Sequence, residues 1–152
     1  MPDHGWTSPA LAGFISIALV PDLKYPGNPP SIGNPDTIGS RTALFFTMII
    51  ISVAALVLAI SLARSLLTRL AGRNAALLGA AIYIVIIALT QYTLPEINEV
   101  PEHFSAVVLW HFRVASPGIH LVLWTTIGPL FGALTERVFA QAPSPRLAPM
   151  SR

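Results

Sequence analysis

The chain has no cysteine. That excludes disulfides, thiolate metal sites and cysteine nucleophiles, and it says nothing about redox compartment. Charge is nearly as scarce. Only 11% of the residues are Asp, Glu, Lys or Arg, whereas a soluble domain carries about 25%. So few charges cannot cover a globule's surface, and the solvent must be partly apolar. The basic excess, formally +2 over 152 residues, is small and scattered, which excludes a nucleic-acid footprint. A phosphate-binding glycine loop, an HExxH pair and a nucleophile elbow are all missing from the sequence. A non-enzymatic role is therefore expected, with no resident cofactor. The first ten residues hold no Lys or Arg, and the apolar run after them ends in Val20, Pro21 and Asp22. That is a poor secretory signal, and it reads instead as a short span.

What the sequence does have is long apolar runs. Three stretches of 22 residues carry no charge: Thr42 to Ala63, Asn74 to Pro95 and Val114 to Thr135. About 20 helical residues cross a hydrocarbon core of about 30 Å. In lipid the backbone must satisfy its own hydrogen bonds, so each run is expected to be helical despite its β-branched residues. The run from Pro9 to Pro21 has only 13 residues. Ser8 and Pro9 suit a helix start, and Trp6 suits the headgroup level. The expected fold is all-α: a polytopic helical membrane protein with three transmembrane helices plus one short N-terminal span. The spans are placed at about 9–21, 42–64, 74–94 and 115–136, within one membrane domain over 1–140. A disordered proline-rich tail over 141–152 is expected to follow.

The connections differ in chemistry. Residues 22–40 are rich in Pro, Gly and Asn and are expected to form a loop. The link over 64–73 has Arg64, Arg69 and Arg73 and no acid. Basic short loops stay cytoplasmic. That places this link and the C-terminus, with Arg137, Arg146 and Arg152, inside. The outer loops then hold Asp22, Asp36, Glu96, Glu99 and Glu102 against Lys24, Arg41 and Arg113.

The loop from Glu96 to His111 is the main candidate site. Carboxylate and imidazole are the ligands left for a divalent first-row metal once thiolates are absent. Glu99 and His103 would share a helix face at a spacing of four. A helix from about Pro101 to Arg113 would place His111 two turns beyond His103. Glu96 and Glu102 complete the cluster. The competing reading is a solvated external loop. The stretch Phe104 to Phe112, with Trp110, also reads as an interfacial helix. Ser116 and Pro117 suit the start of the last span. His120 would then lie in its first turn, as a metal ligand, a relay or a structural histidine. Gly128 with Gly132, and the stripe Ala55, Ala59 and Ala63, suit close helix packing.

Two stretches carry a resemblance. One is VPDLKYPGNPPSIGNPDTIGSRTAL, from Val20 to Leu44. The other is LPEINEVPEHF, from Leu94 to Phe104, followed by LWHFRVAS, from Leu109 to Ser116. Together they resemble the CbtA family of probable cobalt transporter subunits. The matching positions are Lys24, Tyr25, Pro26, Asn28, Pro29, Pro30, Asp36, Thr37, Gly39, Arg41, Pro95, Asn98, Glu99, Pro101, Trp110, Phe112, Arg113 and Ser116. The resemblance implies a multi-pass protein of the bacterial inner membrane that helps import cobalt for cobalamin synthesis. Divalent cobalt would be cargo, and a small CbtB-like membrane subunit would be a partner beside the lipid bilayer. It implies further N-terminal membrane sequence in relatives, so the short first span reads as a remnant. It transfers no ligand set. A second reading is a non-transporting membrane scaffold or partner-binding subunit, a shortened variant of the family.

Overall fold

The computed structural model describes residues 7–30 and 32–141, and every regular element among them is helical. Trp6 and the tail from Ala142 onward lie outside the described residues. The N-terminal helical segment consists of α1 (Thr7–Gly13), a π-helical stretch (Phe14–Leu19) and α2 (Val20–Lys24). Three long helices follow: α3 (Pro35–Leu66), α4 (Gly72–Thr93) and α5 (Ala106–Gln141). All three are long and apolar enough to cross a membrane.

Local chemistry sets the helix ends. α2 stops at Tyr25 and α4 at Leu94, each directly before a proline. The ring of a following proline pushes the preceding residue out of the helical region, and Leu94 is accordingly extended. α3 starts inside the expected loop. Asn34 caps it by accepting from the Asp36 backbone N–H at 3.0 Å, and Pro35 takes the first position. The widened turn of the π-helical stretch sits just before Pro21, which has no N–H to donate. Ser16, buried in that stretch, instead donates to the Ala12 carbonyl at 2.7 Å.

α5 corrects the expected start of the last span. It begins at Ala106, where the Ser105 hydroxyl accepts from the Val108 N–H at 3.5 Å. It then runs without interruption through Pro117 and Pro129. No separate interfacial helix precedes it: Val107 to Phe112 are its first turns. A membrane helix tolerates internal proline because neighbouring groups re-satisfy the freed carbonyls.

Packing inside the bundle rests on small residues, as lipid supplies no hydrophobic drive between helices. α3 and α4 form a close antiparallel hairpin. A Cβ on Gly79 would meet the Ala59 carbonyl oxygen at 2.9 Å and the Ala63 Cβ at 3.0 Å. One side-chain bond reinforces it, between the buried Ser52 hydroxyl and Tyr83 Oη at 2.8 Å. The core cluster of Val20, Tyr25, Met48, Ala55 and Ile87 joins the N-terminal segment to this hairpin. α5 packs against that same segment. A Cβ on Gly128 would meet the Ala10 Cβ at 2.7 Å, and one on Gly13 would enter the Trp124 ring. The most apolar stretch of α5 buries none of its residues.

Gly79→Leu should destabilise the hairpin by about 1–3 kcal/mol through overpacking. Ser52→Ala should cost only about 0.6 kcal/mol, the usual worth of a hydrogen bond between membrane helices. Unfolding of the purified protein in detergent measures both. Equal stability of Gly79→Leu and wild type would refute the close approach.

Candidate functional site

The N-terminal segment, α3, α4 and α5 all have an end on the face opposite the arginine link. There the loop after α2 meets the loop between α4 and α5. Their contacts form a connected set of polar groups centred on Glu99, whose side chain is only 3% exposed. Thr37 Oγ1 donates to Glu99 Oε1 at 2.6 Å, and the Asn28 amide donates to Oε2 at 3.4 Å. The Arg41 guanidinium lies 3.6 Å from Oε2 and also donates to the Pro26 carbonyl. Asn28 in turn accepts from Arg113 Nη2 at 3.3 Å through Oδ1. One buried carboxylate thus ties the first loop, the start of α3 and the last loop together, with α5 one residue further on. Gly27 lets the loop approach α5, since a Cβ there would stand 3.3 Å from both the Phe112 ring and Ser116 Oγ.

Two further contacts flank this cluster. Buried Tyr25 donates to the Pro95 carbonyl at 2.8 Å. Burial, with the Glu96 charge second, raises the pKa of its phenol. Lys24 lies 3.6 Å from Glu96, whose side chain is 90% exposed. The Lys24 side chain is itself only 9% exposed, so the pair joins a largely buried cation to a solvated carboxylate at the rim.

The candidate ligands are therefore held very differently. Residues 95–101 are not helical, and Glu102 to Phe104 form a turn closed by the Phe104 N–H donating to the Pro101 carbonyl at 3.0 Å. Glu99 and His103 do not share a helix face. Glu99 is sequestered, Glu96 is paired at the rim, and Glu102, His103 and His111 are exposed. His120 is half-buried about four turns into α5, not in its first turn. Among the described residues no three His, Asp or Glu side chains gather as a metal site.

Sequence reasoning did not single out a small cavity behind the cluster. It measures about 230 Å³ and is lined by Leu19, Asp22, Leu23, Pro26, Gly27, Arg113 and Pro117. Asp22 Oδ2 and Arg113 Nε are buried without a hydrogen-bond partner, on the same cavity. At about 30 Å³ per water, the space suits a few molecules bridging them. Asp22 lies just past the apolar run Pro9 to Pro21. Burial pushes its carboxyl pKa up, and the charge of His120 opposes that shift. No single-residue signal marks this pair, because helix contact across the fold brings it together.

A carboxyl whose folded pKa is raised contributes stability when protonated, and loses that contribution as pH rises through the raised value. Asp22→Asn should therefore match or exceed wild type in stability at neutral pH. It should also lose the gain that wild type shows towards acid. Thermal unfolding in detergent across a pH series measures this. A clear loss of stability at neutral pH would show that the ionised carboxylate is already satisfied.

Comparison with known proteins gives one result. No curated protein and no solved structure matches the chain. A family model described as "Probable cobalt transporter subunit (CbtA)" matches residues 7–136. That span holds α3, α4, α5 as far as Glu136 and the whole cluster around Glu99, and the chain belongs to the CbtA family of probable cobalt transporter subunits.

Proposed function

We propose that this protein is a subunit of a cobalt importer in the bacterial plasma membrane, supplying the metal for cobalamin biosynthesis. The observation that carries the reading is the family match over residues 7–136 of a chain with three membrane-crossing helices. In this reading cobalt is cargo, not a resident cofactor, and the protein is no enzyme. The arginine link and the C-terminus face the cytoplasm, following the basic-loop rule. The Glu99 face is then external.

The residues divide the work. Glu102, His103 and His111, exposed like the rim residue Glu96, meet the hydrated ion with ligands that suit a divalent first-row metal. Glu99 acts as the anchor, as both its oxygens are engaged by protein groups. His120 and the cavity at Asp22 lie deeper and offer the next polar groups inward. A small CbtB-like membrane subunit is the expected partner. The open flank of α5, which buries none of its most apolar stretch, favours a second reading as a partner-binding scaffold without transport of its own.

Cellular cobalt in a strain lacking other importers tests the reading. Expression of the gene should raise it, and unchanged cobalt would sink the transport role. Glu102→Gln combined with His103→Ala should lower uptake at normal protein level. Glu99→Gln leaves Arg41 without its charge partner, at a cost on the order of 3–5 kcal/mol for a buried pair. It should therefore lower the amount of folded protein in the membrane. Normal protein with lost uptake would make Glu99 a ligand instead of an anchor.

A further inference from the structure

At the end of the bundle away from Glu99 lies a groove of about 520 Å³ between the N-terminal segment and the α3–α4 hairpin. Its walls are Leu11 and Ile15 on one side, Ala59 and Ala63 on α3, and Ala76 and Ala80 on α4. Alanines leave the space open, while Gly79 holds the two helices together beneath it. Tyr83 closes the deep end, with its hydroxyl already bonded to Ser52. Arg64 lines the groove where α3 ends, beside the link that holds Arg69 and Arg73.

The lining excludes most occupants. A hydrated cation would lose its shell there for walls that are apolar apart from the Tyr83 hydroxyl and the cationic Arg64, so the groove is no ion path. The wall from Gly72 to Tyr83 is about 17 Å long at the helical rise. That length and walls that are almost wholly apolar suit a long, thin, apolar occupant. At its mouth all three arginines are exposed, and the described ion pairs, Lys24–Glu96 and Arg41–Glu99, both lie at the other end of the bundle. No acidic residue occurs between Asp36 and Glu96. Apolar length below, and above it positive charge with no ion-pair partner among the described residues, match one molecule of the surrounding solvent.

We propose that this groove seats an acyl chain of an anionic phospholipid, with the phosphate held by Arg64, Arg69 and Arg73. Basic sites at the ends of membrane helices select anionic headgroups in this way. The seat would brace the N-terminal segment against the hairpin through hydrocarbon that neither element supplies. Lipid binding here does not depend on the transport role.

Native mass spectrometry of the full chain tests it, from neutral detergent mixed with dioleoyl phosphatidylglycerol or dioleoyl phosphatidylcholine. One phosphatidylglycerol per chain should be retained, and phosphatidylcholine far less. Arg64→Gln with Arg73→Gln should lower phosphatidylglycerol retention by about an order of magnitude. These positions are exposed, so that variant should fold. Ala76→Phe fills the groove and should abolish retention while helicity, read by circular dichroism, stays unchanged. Equal retention of the two lipids would overturn the proposal. So would phosphatidylglycerol binding that survives Ala76→Phe, or a dimer of this chain in place of the lipid adduct.

Discussion

The carboxylate of Glu99 is the one place where distant pieces of the chain are forced into register. It accepts from Thr37 and Asn28 and faces Arg41, and Asn28 carries the connection on to Arg113. A bundle in lipid has no hydrophobic force to align its helix ends. Buried polar contacts take that role, and removing one partner of such a pair leaves an uncompensated charge. Four helix ends therefore share one electrostatic tie. Six of the positions that carry the family resemblance, Pro26, Asn28, Thr37, Arg41, Glu99 and Arg113, are members of this network.

Below that tie the stabilising chemistry changes. Within the membrane-crossing lengths the contacts are steric: Gly79 on Ala59, Gly128 on Ala10, and Gly13 under Trp124. One side-chain bond, Ser52 to Tyr83, links the hairpin at depth, and Gln91 reaches the Val20 carbonyl at 3.4 Å. The polar end fixes register, and the small residues set distance.

The helical membrane fold was legible because an apolar run of 22 residues without a charge suits a membrane span and is poorly tolerated elsewhere. The helix starts were less so. Asn34, Pro35 and Asp36 form a good start signal, but the surrounding Pro and Gly masked it. Pro117 suggested a start, whereas α5 begins eleven residues earlier at Ala106, because proline does not break a helix whose neighbours compensate. Glu99 was picked out for its residue type. Its partners lie 62 and 71 positions away, and no spacing rule reaches so far. The pairing of Asp22 with Arg113 across a cavity was invisible for the same reason.

The way α5 is attached has a mechanical consequence. It leans mainly on α1 and the π-helical stretch, while α3 and α4 lean mainly on each other. The short N-terminal segment thus mediates between two bodies that meet mainly through it, and a change in its packing would reach both.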